Sequence, residues 1–289
     1  MKIKRTFCAL FLSLILFNVH AYAKSPVWKI SKDGNHLFIG GTIHLLSQSD
    51  YPLPGAFEHA YKNSKLLVLE TDLQKFSSPE FQPEIIKSSV YTGEQNITQF
   101  LKPDTLRDLE HLLTNRGIPL EAIIKLKPGM LSVTLTVLEL QRLGLAGTGV
   151  DQFFSLRALN DSREIKYLET VSEQLEFISS MGEGNEDAFI EYMLSDLKNL
   201  PALLGTTKEA WKNGDNDRLR QAALDPWKER FPKLYNSMLV KRNNNWVPQI
   251  ERMLKTKEVE FVLFGALHLA GEQGVLAQLK ALGYKVENQ

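Results

Sequence analysis

Four stretches of the chain share one design: an apolar, β-branched or aromatic run that stops at an ionisable residue. They are Leu37 to His44, Lys65 to Glu70, Ile165 to Glu169 and Val259 to His268. Apolar runs of this length read as strands buried on both faces, which suits the middle of an α/β sheet. Between them the period changes to that of helices. Pro54 to Ser64 carries Ala56, Phe57, Ala60 and Tyr61 on one side, and Asp104 to Asn115 carries Leu106, Leu109, Leu112 and Leu113. Met130 to Leu143 reads as a strongly apolar, buried helix, and Val150 to Leu159 as another. From Val171 to Lys257 only helical periods occur, over 174–181, 186–197, 207–212, 217–224, 231–241 and 245–255. Gly274 to Leu282 closes the helical set, Gly283 is its stop, and Tyr284 to Glu287 reads as a short strand. The pattern predicts one α/β domain over 24–289. Strands cluster at both of its ends, and a helical insertion or cap covers about 171–257.

The first 23 residues follow a different logic. Lys2, Lys4 and Arg5 precede an apolar run from Phe7 to Phe17, and Ala21-Tyr22-Ala23 supplies a small-x-small cleavage pattern. This reads as a cleavable signal peptide, too short to span a bilayer comfortably. The expected destination is a bacterial periplasm or the medium. Cleavage removes three bases and the only cysteine, leaving 31 Lys+Arg against 34 Asp+Glu. The mature chain then holds no disulfide or thiol nucleophile, and no later segment reads as a membrane span. The balanced charge argues against nucleic acid as a partner, and 43% apolar residues argue against disorder.

Candidate chemistry sits where the apolar runs end. Gly41-Thr42-Ile43-His44 and Gly265-Ala266-Leu267-His268 repeat one spacing, and Glu70 and Glu169 close two other runs. If these strands are parallel, their ends meet at one sheet edge, where α/β folds place ligands. Two imidazoles and a carboxylate would suit a divalent transition metal with open positions for water or substrate, and a remaining carboxylate could act as base. Plainer roles compete. A strand-end Glu is often solvated or caps the next helix, and Glu169 stands just before one. Asp151 could cap the helix from Gln152, and Arg242-Asn243-Asn244-Asn245 reads as a loop and N-cap. His36 reads as exposed in a turn, and His59 and His111 as structural. No phosphate-binding loop, His-Glu-x-x-His or Gly-x-Ser-x-Gly is present.

These pieces, taken in order, resemble the TraB/PrgY/GumN family, which includes the Tiki metalloproteases. They are Gly-Thr-Ile-His at 41–44, Glu70 with Asp72, Gly149-Val150-Asp151, and Leu168-Glu169-Thr170 with Gln174. Arg242-Asn243 before Trp246, Gly265-Ala266-Leu267-His268-Leu269 with Gly271, and Gly283-Tyr284-Lys285-Val286 complete the set. The resemblance implies a fold like those of erythromycin esterase and haem-binding ChaN-like proteins. That fold has a mixed sheet flanked by helices, in two pseudo-repeated halves with a mostly helical middle insertion. It also implies manganese- or cobalt-dependent peptide cleavage, with zinc less favoured, and with His44, His268 and Glu70 as metal ligands. Glu70, Glu169, Asp151 and Arg242 match the positions expected to take part in catalysis. The leading expectation is therefore an exported metal-dependent hydrolase acting on a peptide or small molecule. The alternatives are a non-catalytic peptide- or haem-binding protein and a metal-free, esterase-like hydrolase.

Overall fold

The computed structural model describes residues 24–145 and 147–289, so the signal at 1–23 lies outside the described residues. A six-stranded sheet forms the centre. Its strands are β1 (Val27–Lys32), β2 (Asn35–Thr42), β4 (Leu66–Leu69), β6 (Ile165–Tyr167), β7 (Glu260–Gly265) and β8 (Lys285–Asn288). Two short strands, β3 (Leu45–Leu46) and β5 (Gly147–Thr148), pair separately. The spatial order is β6-β4-β7-β2-β1-β8. The pairs β2–β7, β7–β4 and β4–β6 are parallel, whereas β1 is antiparallel to both β2 and β8, so the sheet is mixed.

The two-residue period of the strands divides the core. Leu37 and Ile39 of β2, Leu66 and Val68 of β4, and Val262 and Phe264 of β7 face one side. There they meet Trp246, Val247 and Ile250 of the helix Arg242–Met253, and Val275, Leu276 and Leu279 of the helix Val275–Ala281. The intervening Phe38, Leu67, Leu69, Phe261 and Leu263 face the other side. They pack on Phe57 and Tyr61 of the helix Gly55–Lys62 and on Phe154 of the helix Val150–Asn160. Trp211, fully buried, enters this second core and donates its indole N–H to the Gly41 carbonyl at 2.7 Å.

Beyond the sheet, the helices Pro103–Arg116, Pro128–Arg142 and Glu186–Lys212 build a third core of their own, around Leu109, Leu113, Leu131, Ile190 and Leu197. Several sequence expectations change here. The periods at 186–197 and 207–212 belong to one continuous helix, Glu186–Lys212, which runs through Pro201. Packing of Met193, Leu197 and Leu200 on the third core outweighs the hydrogen bond that proline removes. The helix at 128–142 is amphipathic rather than buried all round, with Leu138 42% exposed. The strand β1 and the helices Leu73–Phe76 and Gln82–Ser89 were not legible as elements. Two equivalent halves, implied by the resemblance, are not shown by this arrangement. No helix among the described residues is long and apolar enough to cross a membrane.

One buried ion network ties the helical layer to the sheet. Asp50, 4% exposed, accepts from Lys208 and, at 3.0 Å, from Lys212, both on the long helix, and from Ser47 N–H at 2.8 Å. Burial pushes the Asp50 carboxyl up, but Lys208, Ser47 and Lys212 outweigh it and hold the group well below the usual carboxylate range. A depressed native pKa stabilises the fold above the unfolded value of ~4, and that stabilisation is lost on acidification. Asp50→Asn therefore costs about 1–3 kcal/mol at neutral pH, since the lysines keep partial solvent access. Urea unfolding of wild type and variant checks this. The gap between them narrows as pH falls below ~4, and a gap independent of pH would refute the ion-pair account.

Candidate functional site

Parallel pairing puts the C-terminal ends of β6, β4, β7 and β2 along one edge. Glu169, Glu70, His268 and His44 follow these strands in that spatial order. Glu70 and Glu169 are directly coupled, the backbone N–H of Glu169 donating to the Glu70 carbonyl at 2.9 Å. The helix-capping alternative for Glu169 fails because Thr170 is the N-cap and forms a capping box with Glu173. The Glu169 carboxylate is thereby left to the site.

Arg242 organises the interior. Its Nε and Nη2 donate to the two Glu169 oxygens at 3.0 and 2.7 Å, and Nη2 also donates to Glu70 Oε2 at 2.5 Å. Nη1 donates to His268 Nε2 at 3.1 Å and to the Met238 carbonyl at 3.4 Å. All five guanidinium donors are thus matched, as a side chain 6% exposed requires. Trp246 lies beneath the cation, 4.7 Å from its ring centroid. The loop-and-N-cap reading of 242–245 is corrected. Arg242 follows without a break from a π-helical turn, Asn236–Lys241, and begins the helix Arg242–Met253. A π turn rotates the helix face relative to regular α geometry, which brings Arg242 and Asn243 inward together with Trp246.

His268 is held from behind. Asn243, fully buried, spends its Nδ2 on the carbonyls of Gln273 (2.8 Å) and His268 (3.4 Å), so its Oδ1, 2.6 Å from His268 Nδ1, is an acceptor. His268 therefore carries its proton on Nδ1 and presents the Nε2 lone pair forward. Burial lowers its pKa to about 3, and the ring is neutral.

His44 is the outer member. Its ring is 64% exposed, and Nδ1 lies 3.0 Å from Asp151 Oδ2. Asp151 is brought there by Gly149, whose missing side chain lets the backbone lie against His44. A Cβ at Gly149 would stand 2.1 Å from the His44 carbonyl oxygen. Gly149 is also the helix N-cap, so Asp151 is not the cap it could have been. The Asp151 carboxylate raises the His44 pKa to about 9, an effect that the ring's solvent exposure screens. Burial pushes Glu169 up to about 7, and the neighbouring Glu70 charge adds to this. Glu70, drawn down by Arg242, His268, His44 and the Gly265 N–H despite its burial, falls to about 2.

Three of these groups, Glu70, His268 and His44, converge above Gly265. A Cβ there would lie 3.3 Å from Glu70 Oε1, 3.6 Å from His268 Cδ2 and 4.0 Å from His44 Nε2. The glycine thus leaves a small space faced by both imidazoles and a carboxylate. Asp151 and Asn243 fix the Nδ1 sides of the two histidines, the arrangement that orients metal-ligating imidazoles. The donor chemistry fits a transition ion. The ligand spacing differs from a closed site: among the described residues no three His, Cys, Asp or Glu side chains stand at metal-binding distance, and Arg242 holds the His268 lone pair.

The family model for TraB/PrgY/gumN matches residues 26–288. The chain belongs to the TraB/PrgY/gumN family. No curated protein and no solved structure matches it. For this family member, the residues that the sequence picked out, His44, Glu70, Asp151, Glu169, Arg242 and His268, all meet at one edge. His36, His59 and His111 lie elsewhere, the last pairing with Asn115 on an exposed helix face. Asn243 and Gly265 carry more of the site than their quoted motifs suggested. The signal for Asn243 was its place one residue from Arg242, ahead of the buried Trp246.

Two predictions follow from this geometry. Arg242→Met leaves two buried carboxylates without their cation and destabilises by about 3–5 kcal/mol near neutral pH. The loss shrinks on acidification, because protonation of Glu70 and Glu169 removes the uncompensated charge. Chemical unfolding across pH measures it, and a deficit that stays constant to pH ~4 would contradict the charge account. Gly265→Ala behaves oppositely. Its backbone (φ −50°, ψ 131°) accepts alanine, and the new methyl meets Glu70 Oε1 at 3.3 Å, a close contact that a shift of a few tenths of an ångström relieves, so the loss of stability is only about 1 kcal/mol. The methyl nevertheless fills the shared space, so any ligand binding there is lost. Calorimetry and a binding titration on one preparation separate the two effects.

Proposed function

We propose that this protein is an exported hydrolase whose reaction centre lies between His44, Glu70 and His268, that it uses a divalent transition ion, manganese or cobalt rather than zinc, and that it cleaves peptides. The observation that carries this reading is the convergence of His44 Nε2, Glu70 Oε1 and the His268 ring on the space above Gly265. His44 Nε2, His268 Nε2 and Glu70 would hold the ion. When bound, it supplies Lewis acidity, polarising a scissile carbonyl and making water nucleophilic near neutral pH.

The protein's own groups have separable tasks. Asp151 and Asn243 lock the imidazole tautomers. Arg242 keeps Glu169 paired while it yields its Nη1 contact with His268 to the ion, and it stands ready to steady negative charge that develops on a substrate oxygen. Glu169, with its raised proton affinity, is the group suited to pass a proton to a leaving amine. A haem-binding role is less favoured. The neighbouring cavity of about 20 Å³ is far too small for a macrocycle.

One observation favours a second, metal-free reading. Arg242 already occupies the His268 lone pair, and the exposed His44–Asp151 pair has the arrangement of an acid–base dyad whose imidazole becomes a base once it is deprotonated, at a pH that Asp151 shifts upward. The two readings separate cleanly. Purified chain from Lys24 onward is stripped, reloaded with manganese, cobalt, zinc or iron, and compared with His44→Ala/His268→Ala, with circular dichroism confirming that both fold. The metal reading expects about one ion per wild-type chain, none in the variant, and peptide cleavage that chelator abolishes. Equal metal content in the two proteins defeats it. Cleavage that persists in chelator and is lost in Asp151→Ala would establish the dyad instead.

A further inference from the structure

Buried polar side-chain atoms normally find a partner. Among the described residues seven such atoms have none within the protein: Thr42 Oγ1, Thr71 Oγ1, Asp151 Oδ1, Ser89 Oγ, Tyr91 OH, Asn216 Oδ1 and Glu260 Oε2. The last four are scattered. The first three belong to residues that line a single cavity, and that cavity also touches His44 and Glu70. Thr42 is 3% exposed and Thr71 is 1% exposed. Asp151 gives its other oxygen, Oδ2, to His44. Each unpaired group costs roughly 1–3 kcal/mol, so clustering three of them beside a reaction centre is unfavourable unless something binds there.

The cavity measures about 20 Å³. One water needs ~10–15 Å³ on this measure and two to four polar partners. Gln174 also lines it and donates to Glu70 Oε2 at 3.4 Å, whereas the side chains of Leu69, Leu73, Leu263 and Phe264 offer no hydrogen bonds. The donor and acceptor balance also fits. Two threonine hydroxyls donate, the Asp151 oxygen accepts, and a water can take both donations and return one. Its second O–H stays available for Glu70 or a substrate group.

We propose that Thr42 and Thr71 are positioning residues: with Asp151 Oδ1 they hold one buried water against the reaction centre, fixing Asp151 and through it His44. Thr42 ends β2 directly across from Gly265 of β7, and Thr71 follows Glu70, so the water bridges the two strand ends that carry His44 and Glu70. The consequence for turnover rests on the hydrolase reading above, whereas the water itself does not.

The test uses the isosteric pair Thr42→Val/Thr71→Val beside Thr42→Ser/Thr71→Ser, each as purified protein. High-resolution crystal structures are expected to show an ordered water within ~2.7–3.2 Å of both hydroxyls and Asp151 Oδ1 in wild type and in the serine variant, and none in the valine variant. The urea midpoint of the valine variant is expected to fall. Unpartnered hydroxyls would give the reverse, because replacing them by methyl groups is neutral or stabilising. A cavity without water in wild type, a water that persists in the valine variant, or a raised midpoint would each overturn the proposal. In the turnover assay, kcat falls roughly tenfold with KM little changed, and serine restores it. Loss of the water with kcat unchanged would overturn the positioning role. If the chain neither binds metal nor cleaves peptide, the hydrolase reading falls alone, and the crystal and urea results still decide the water.

Discussion

The edge of the sheet depends on a buried guanidinium. Arg242 reaches the residue after β4, the residue two beyond β6 and the turn after β7 at once, so three strand ends are fixed by one side chain. Two carboxylates at neighbouring strand ends would repel each other in this low-dielectric setting. The cation turns that repulsion into a brace. The brace is costly to desolvate, and it holds only because all five donors find acceptors and Trp246 covers its face. A lysine could offer neither the fork nor the flat face that the two glutamates and the indole use.

Around that brace the site divides into a locked part and an open part. His268, Asn243, Arg242 and the two glutamates are buried and fully cross-bonded, and their orientation is set before any ligand arrives. His44 is largely exposed and depends on Asp151, which depends in turn on Gly149 and on the short β3–β5 pairing that holds the start of its helix. The Asp50 network reinforces the same loop from the long helix. The helical layer therefore reaches the site through the segment just after His44. Gly265, on the boundary between the two parts, keeps them from closing on each other.

Much of this was legible in the sequence because strands buried on both faces advertise themselves, and because four such strands each end at an ionisable residue, although plainer roles competed for each one singly. Parallel pairing then made the edge predictable from four strand ends. What escaped detection was set by tertiary packing. The segment at 242–245 looks like a loop because Arg-Asn-Asn-Asn has poor helix propensity. The π turn before it and the pocket beneath it impose a helix all the same. The long helix through Pro201 was hidden for a similar reason, since the proline's local penalty is offset by a core assembled from distant helices. Asp151 looked like a cap because its sequence position suits one, and only the fold reveals the histidine that it faces. The threonine hydroxyls left no sequence signal, since Thr is an ordinary strand residue.

The charge of the cluster bears on what it can hold. Asp151, Glu70 and Glu169 bring three formal negative charges, Arg242 brings one positive charge, and both histidines are neutral in their ligand-competent forms. The sum is two negative charges in excess within a largely buried space. The two raised proton affinities, at His44 and Glu169, are how such a cluster recovers balance from solvent, each taking up a proton earlier than it would in water. A divalent cation would supply the same two charges without those protons, and its binding would release them. The acid–base behaviour of these two groups and any affinity for a doubly charged ion would then be two expressions of one electrostatic deficit. Proton uptake at His44 would compete directly with any use of it as a ligand, because the Nε2 lone pair serves either purpose but not both.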